Sequence, residues 1–442
     1  MIILRDAQVA TAEGFLRQDL AFEDGEIVKI GESLRGYSGE EVILDGCHIF
    51  PGFVDAHVHF NEPGRGHWEG LRSGSAALAA GGGTAFADMP LNSDPPVLTA
   101  EALLGKRRVA EEKSLLDFAL WGGLCPGWTD RIPEMAAAGA VGFKAFLCPS
   151  GIEEFPATDA ATLWEGMIRA RAVGLPVAVH AEDPAVIESV QQGIHGRSIK
   201  DFFLSRPKSA EVSAIRMACE MAGETGASLH IVHVSSSEGL AEIQAARLAG
   251  VEVTSETCPH YLLFDAEQAA AIGARAKCAP PLRDREDVDR LWQDLLAGKI
   301  DTIGSDHSPA PPDLKTGEDF FSIWGGISGC QHAFVALLGE LFRQGAAHRA
   351  ADWFSAAPAR RLGLKKGRLE AGCDADLTIV KFTGPGDPAA PLYRHAGHLY
   401  EFFRPSCEIR HVLRRGEFLI RDGNPAAGAG RGRFLAGLGA QS

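Results

Sequence analysis

The chain has no paired cysteines. Its nine stand singly, with no CxxC anywhere, which excludes a zinc ribbon and a disulfide framework and fits a reducing compartment. It has no basic excess either. Against 43 Lys and Arg stand 58 Asp and Glu, a net charge of −15, so nucleic acid and anionic membrane are excluded as natural partners. No apolar run reaches the ~18 residues that a membrane helix needs. The opening MIILRDAQVATAEG lacks the basic-then-apolar layout of a signal peptide, and a cytoplasmic location is expected. Neither GxGxxG nor GxxxxGKS/T follows any apolar run, so nothing supports a nucleotide-binding sheet.

What is present is an ordinary globular composition, 45% apolar and 23% charged over 442 residues, too long for one small core. Residues 1–50 and 364–442 read as short β runs with Gly turns, Asp24-Gly25 among them. Both ends together are expected to build one small β-sandwich, with a loosely held Gly- and Ala-rich tail from Asn424. The middle, 51–363, alternates apolar strands with helical segments. Strands are expected at 51–59, 83–89, 117–124, 140–147, 175–181, 228–234, 251–256 and 301–306. Helical stretches such as 99–113, 158–173, 208–225 and 237–249 lie between most of them. The α/β class and a (β/α)8 barrel follow, with a doubly wound open sheet as the alternative.

The chain is organised around PGFVDAHVHF at 51–60. On a strand, His57 and His59 point to one face, which suits a single ion of the zinc class. An isolated HxH is also consistent with two hydrogen-bonded core histidines. The rest of the middle domain favours the metal. Lys144 lies in the fourth expected strand, and His180, His233 and Asp306 end the fifth, sixth and eighth. Catalytic groups of a barrel converge at that rim from different strands. A lysine buried in a strand has a depressed pKa and a nucleophilic amine. Such an amine could add CO₂ to give an anionic bridge between two cations, though spacing alone does not establish that step.

These motifs, with GFKAFL, HAED, HVSS, ETCPHYL and SDHSP, resemble the amidohydrolase superfamily in its cyclic-amidase branch of dihydroorotases, hydantoinases and allantoinases. The resemblance covers essentially the whole chain. It implies two divalent ions, zinc first and Co, Mn or Ni as alternatives. By it, His57 and His59 with Asp306 hold one ion, His180 and His233 hold the other, and carboxylated Lys144 bridges them. Asp306 would also move a proton from a bridging hydroxide to the leaving nitrogen.

Within the branch, HFNEPGRGHWEG, MPLNSDPP, KCAPPLRD, SDHSPAPPDLK and WGGISG are most similar to the allantoinases. That implies opening of the hydantoin ring of allantoin to allantoate, a step of purine degradation, by a homo-oligomer, a tetramer in many relatives. Where a dihydroorotase typically has an arginine for the substrate carboxylate, this chain has Asn61, whose amide suits a neutral ureido group. Asn61 would then bind substrate; the alternative is that it caps the turn before Pro63. Glu256 and His260 are either orienting groups or turn residues, and Trp324-Gly325-Gly326 a loop over the pocket. The competing readings are a hydantoinase, dihydropyrimidinase or dihydroorotase, and a non-catalytic scaffold, which has no need of an intact ligand set.

Overall fold

A computed structural model describes residues 1–441. The N-terminal strands are β1 (Ile2–Thr11), β2 (Gly14–Glu23), β3 (Glu26–Gly31), β4 (Glu40–Ile43) and β5 (His48–Pro51). The middle contributes β6 (Phe53–Val58), β7 (Gly83–Asp88), β8 (Asp117–Leu120), β9 (Gly122–Gly123), β10 (Phe143–Phe146), β11 (Val177–His180), β12 (Leu229–Ile231), β13 (Val253–Thr257) and β14 (Thr302–Ile303). The C-terminal part adds β15 (Leu377–Phe382), β16 (Cys407–Arg414), β17 (Glu417–Arg421) and β18 (Asn424–Pro425).

The middle strands pair in parallel as two arcs, β6-β7-β8 and β9 through β14. Only Trp121 separates β8 from β9, so they are one stave interrupted there. A parallel bridge between Val58 and His307 joins the first stave to the chain just past the last. The result is the expected eight-stave barrel. The staves read as apolar runs because helices cover the outside while small residues fill the inside. Alternate positions Val54 and Ala56, and Ala85 and Ala87, form one buried cluster around Trp121, whose indole donates to the Ala56 carbonyl at 3.0 Å. The outer helices follow ordinary rules. Residues Arg285–Leu296 start on Asp284, which accepts from the Asp287 amide, and bury Val288, Leu291 and Leu295 on one face. No helix among the described residues is long and apolar enough to cross a membrane.

Both chain ends meet in one mixed sheet of nine strands, joined where β5 pairs antiparallel with β15. The hydrogen bonding is continuous across it. An ionic cluster ties this sheet to the barrel. Lys366 Nζ lies 2.7 Å from Asp117, 2.6 Å from Asp374 and 2.7 Å from Asp376, and is 2% exposed. Asp117 begins β8, at the barrel end away from the histidines.

The tail departs from expectation. The Phe118 amide donates to the Arg433 carbonyl at 2.9 Å, Leu435 donates back to Phe118, and the Phe434 ring lies 5.7 Å from that of Phe118. Gly432 allows this close approach, since a Cβ there would collide with the Leu116 carbonyl. The glycines that read as looseness in the sequence are what let the tail dock.

Candidate active site

The six residues expected to hold metal lie together at the C-terminal end of the barrel. His57 comes from β6 and His59 follows it; Lys144 sits in β10, and His180 ends β11. His233 and Asp306 stand two and three residues past β12 and β14, with left-handed φ of 42° and 46°. Such backbone is costly for these residues and concentrates at functional sites.

His57 Nε2 and His59 Nε2 lie 3.2 and 3.4 Å from Asp306 Oδ1. His180 Nδ1 faces His233 Nε2 at 3.0 Å. Burial, then His180 and Lys144, hold His233 well below its ordinary 6.5, and burial takes His59 down to about 4. Both are neutral imidazoles with lone pairs to offer. Burial alone would raise the Asp306 carboxyl, but His57, His59 and His233 outweigh it and keep it ionised.

Lys144 is fully buried, and its Nζ has no hydrogen-bond partner among the described residues. Desolvation draws its pKa from 10.5 to about 7 against the opposing pull of Asp306 and Glu256. An orphaned, half-neutral amine among paired imidazoles and a carboxylate fits two cations and an anionic link between them.

Buried carboxylates fix the imidazoles. Glu256 Oε1 lies 2.7 Å from His57 Nδ1, which turns His57 Nε2 toward Asp306. Glu256 fits because residue 304 is glycine: a Cβ there would sit 2.7 Å from its carboxylate. Glu182 Oε2 does the same for His180 from Nε2, at 2.8 Å, and is itself held by Arg206 at 2.6 Å. Glu256 is therefore an orienting group, not a turn residue. His260 is buried, and neither ring nitrogen has a hydrogen-bond partner among the described residues. Glu182 stood in the motif HAED, two residues after its histidine, and had no role assigned.

The site opens into a cavity of about 290 Å³ lined by His57, His59, His180, His233 and Asp306, with Leu91, Asn92, Phe146, Arg206, Lys277 and Ser308. That lies at the small end of the roughly 300–1,000 Å³ range of ligand sites, room for a small cyclic molecule. Residues 321–326, Trp324 included, form one wall, as expected of the glycine-rich loop. Lys277 Nζ donates to the Ile323 carbonyl and Lys315 Nζ to that of Gly326, pinning this wall.

Asn61 does not line the cavity. The strand that was to carry it ends at Val58, so strand alternation no longer governs its direction. Its φ is 63°, it is fully buried, and Nδ2 donates to the Pro309 carbonyl at 3.3 Å. It ties the exit of β6 to the loop after β14. The asparagine at the wall is Asn92, of MPLN, together with Ser308, two residues beyond Asp306.

The Amidohydrolase family pattern matches residues 48–419. Over 424 residues the chain is 47% identical to an allantoinase of Solibacter usitatus, covering 94% of this chain and 92% of that one. An allantoinase of Deinococcus radiodurans is 48% identical over 392 residues, 86% and 88% of the two chains. In three dimensions, L-hydantoinase (dihydropyrimidinase) from Arthrobacter aurescens superposes with a TM-score of 0.95 at 29% identity, covering 98% of this chain and 99% of that one. Pattern, relatives and fold agree with the site: this chain belongs to the amidohydrolase family, in its branch of cyclic amidases.

Proposed function

We propose that this enzyme hydrolyses the ring amide of allantoin to give allantoate. The observation that carries the reading is the convergence of His57, His59, His180, His233 and Asp306 on one small cavity, with the buried, unpartnered amine of Lys144 near Asp306. The allantoinase relatives, 43% to 49% identical over most of the chain, supply the substrate.

The family implies a binuclear divalent-metal site. His57, His59 and Asp306 would hold one ion, His180 and His233 the other, and Lys144 would link them. That link is a carbamate, formed when the neutral Lys144 amine adds to CO₂ and loses a proton. Zinc suits three-atom sets of imidazole nitrogen and carboxylate oxygen; Co, Mn and Ni are alternatives. Bound there, the ions supply Lewis acidity to the ring carbonyl and lower the pKa of the attacking water.

The protein's own groups do the rest. Asp306, held ionised by three histidines, accepts the proton of the attacking water and delivers it to the leaving ring nitrogen. Glu256 and Glu182 keep His57 and His180 in one orientation each. Asn92 and Ser308 line the cavity with neutral polar groups suited to a neutral substrate. A reducing cytoplasm agrees with nine free cysteines, eight of them buried. The expected homotetramer is checked by light scattering.

The test is turnover of allantoin, hydantoin, dihydrouracil and dihydroorotate with metal quantified in the same sample. Allantoin should be the best substrate, with about two ions per chain. A preference for hydantoin would favour the second reading, which the fold likeness to hydantoinases supports.

A further inference from the structure

Arg206 has a part to play that its ion pair does not use up. It stands between the helices Ile199–Ser205 and Lys208–Thr225, and its backbone carbonyl accepts from Arg283 Nη1 at 2.7 Å. Nε lies 3.0 and 3.2 Å from the two Glu182 oxygens, and Nη2 lies 2.6 Å from Oε2. Nη2 also approaches the Cys148 sulfur at 3.3 Å. Nη1 alone has no hydrogen-bond partner among the described residues. It is not among the buried orphaned atoms either, so it reaches open space, and the space Arg206 lines is the cavity.

The other cation on that wall directs at least two of its three N–H groups at the wall itself. Lys277 Nζ is taken by the Ile323 carbonyl and lies 3.5 Å from that of Phe321. A free guanidinium arm is a donor only, so its complement is an acceptor oxygen. Its place decides which oxygen. The His180 atom that faces His233 is Nδ1; behind the ring come Nε2, Glu182 and then Arg206. Two hydrogen bonds and the His180 ring link the guanidinium to the His180–His233 pair. Such an arm suits an acceptor oxygen on the substrate away from the scissile amide.

We propose that Arg206 is a specificity-determining residue: one edge of its guanidinium holds Glu182 against His180, and the free Nη1 donates to the ureido carbonyl of the substrate. The inference rests on the allantoin reading above and adds to it the group that distinguishes a tailed hydantoin from a bare one.

The experiment measures kcat and KM for allantoin and the competitive Ki of hydantoin, which has the ring and no tail. The proteins are wild type, Arg206→Lys and Arg206→Gln, each with its metal content determined. Both variants keep a donor for Glu182 and lose the second arm. Allantoin kcat/KM should fall roughly ten- to a hundredfold, mostly through KM, as expected for a lost charged hydrogen bond. In Arg206→Lys, which keeps a positive charge on Glu182, hydantoin Ki should move by less than about threefold and metal content should hold. Equal losses for both ligands, or loss of metal in both variants, would overturn the assignment and leave Arg206 as a support for His180. Wild type that does not open allantoin would overturn the underlying reading, and this one with it.

Discussion

Glu256→Gln is the most direct probe of how the metal histidines are held. Glu256 Oε1 lies 2.7 Å from His57 Nδ1, and both side chains are 1% exposed. The second oxygen makes no hydrogen bond and lies 3.7 Å from His230 Nε2. Burial alone would raise the Glu256 pKa; His57 and His230 outweigh it and bring it to about 2, so the group is charged. A hydrogen bond to a charged group contributes about 1.5–3 kcal/mol and a neutral one about 0.5–1.5. Glutamine keeps the shape and an acceptor oxygen but no charge, so the loss is about 1–1.5 kcal/mol. At about 1.4 kcal/mol per decade, metal affinity should fall roughly five- to tenfold. Glu256→Ala leaves Nδ1 with nothing to donate to, and the loss should reach about ten- to a hundredfold. Competition with a chromophoric chelator measures both, with circular dichroism to verify the fold. The expected order is wild type above Gln above Ala. If all three bind metal equally, the carboxylate does not orient His57 and the reasoning is wrong.

Lys144→Ala should be metal-poor and nearly inactive, with partial recovery in concentrated short carboxylic acids; wild-type turnover in that variant would refute the carbamate link. Asp306→Asn retains size but not the proton shuttle, so kcat should drop at least roughly 10²-fold, and a loss under tenfold with both ions bound would send the proton elsewhere. Asn61→Ala removes the tie to Pro309, so allantoin and hydantoin should suffer alike; a loss confined to allantoin would return Asn61 to the substrate. Lys366→Met removes the cation that Asp117, Asp374 and Asp376 share, leaving Asp117 to Arg415, and should cost about 3 kcal/mol at pH 7, seen as a lower thermal midpoint. Burial would raise Asp117, yet Lys366 and Arg415 hold it below its ordinary 3.8, so its contribution is present above that value and fades as pH falls. The gap between variant and wild type should therefore narrow in acid; a constant gap would show that the charges are not what Lys366 supplies.

The barrel was legible because its staves are buried on both faces and read as unbroken apolar runs ending in chemistry. The ligands followed, since His57, His180, His233 and Asp306 each close such a run. What the sequence did not show depends on where a strand stops. Asn61 was given the direction of His57 and His59 on the premise that the strand continued, and it ends at Val58. Arg206 and Lys277 reach the cavity from helix ends far along the chain, where no periodicity marks them. Gly304 looked like one glycine among 51, and only the carboxylate beside it shows why a side chain is excluded there.

The sheet built from both chain ends sets a timetable for synthesis. Strand β5 finishes at Pro51 and its partner β15 begins only at Leu377, about 325 residues later. At roughly 5–20 residues per second, the ribosome needs about a quarter of a minute to a minute to supply it. Throughout that interval β5 presents an unpaired edge, the kind of template that recruits other chains. The strands β1 to β4 can pair among themselves, but the sheet cannot close until the barrel has been made. The nascent chain thus carries that open edge for most of its translation, and a holding chaperone should act on residues 48–51 before it acts on the catalytic domain.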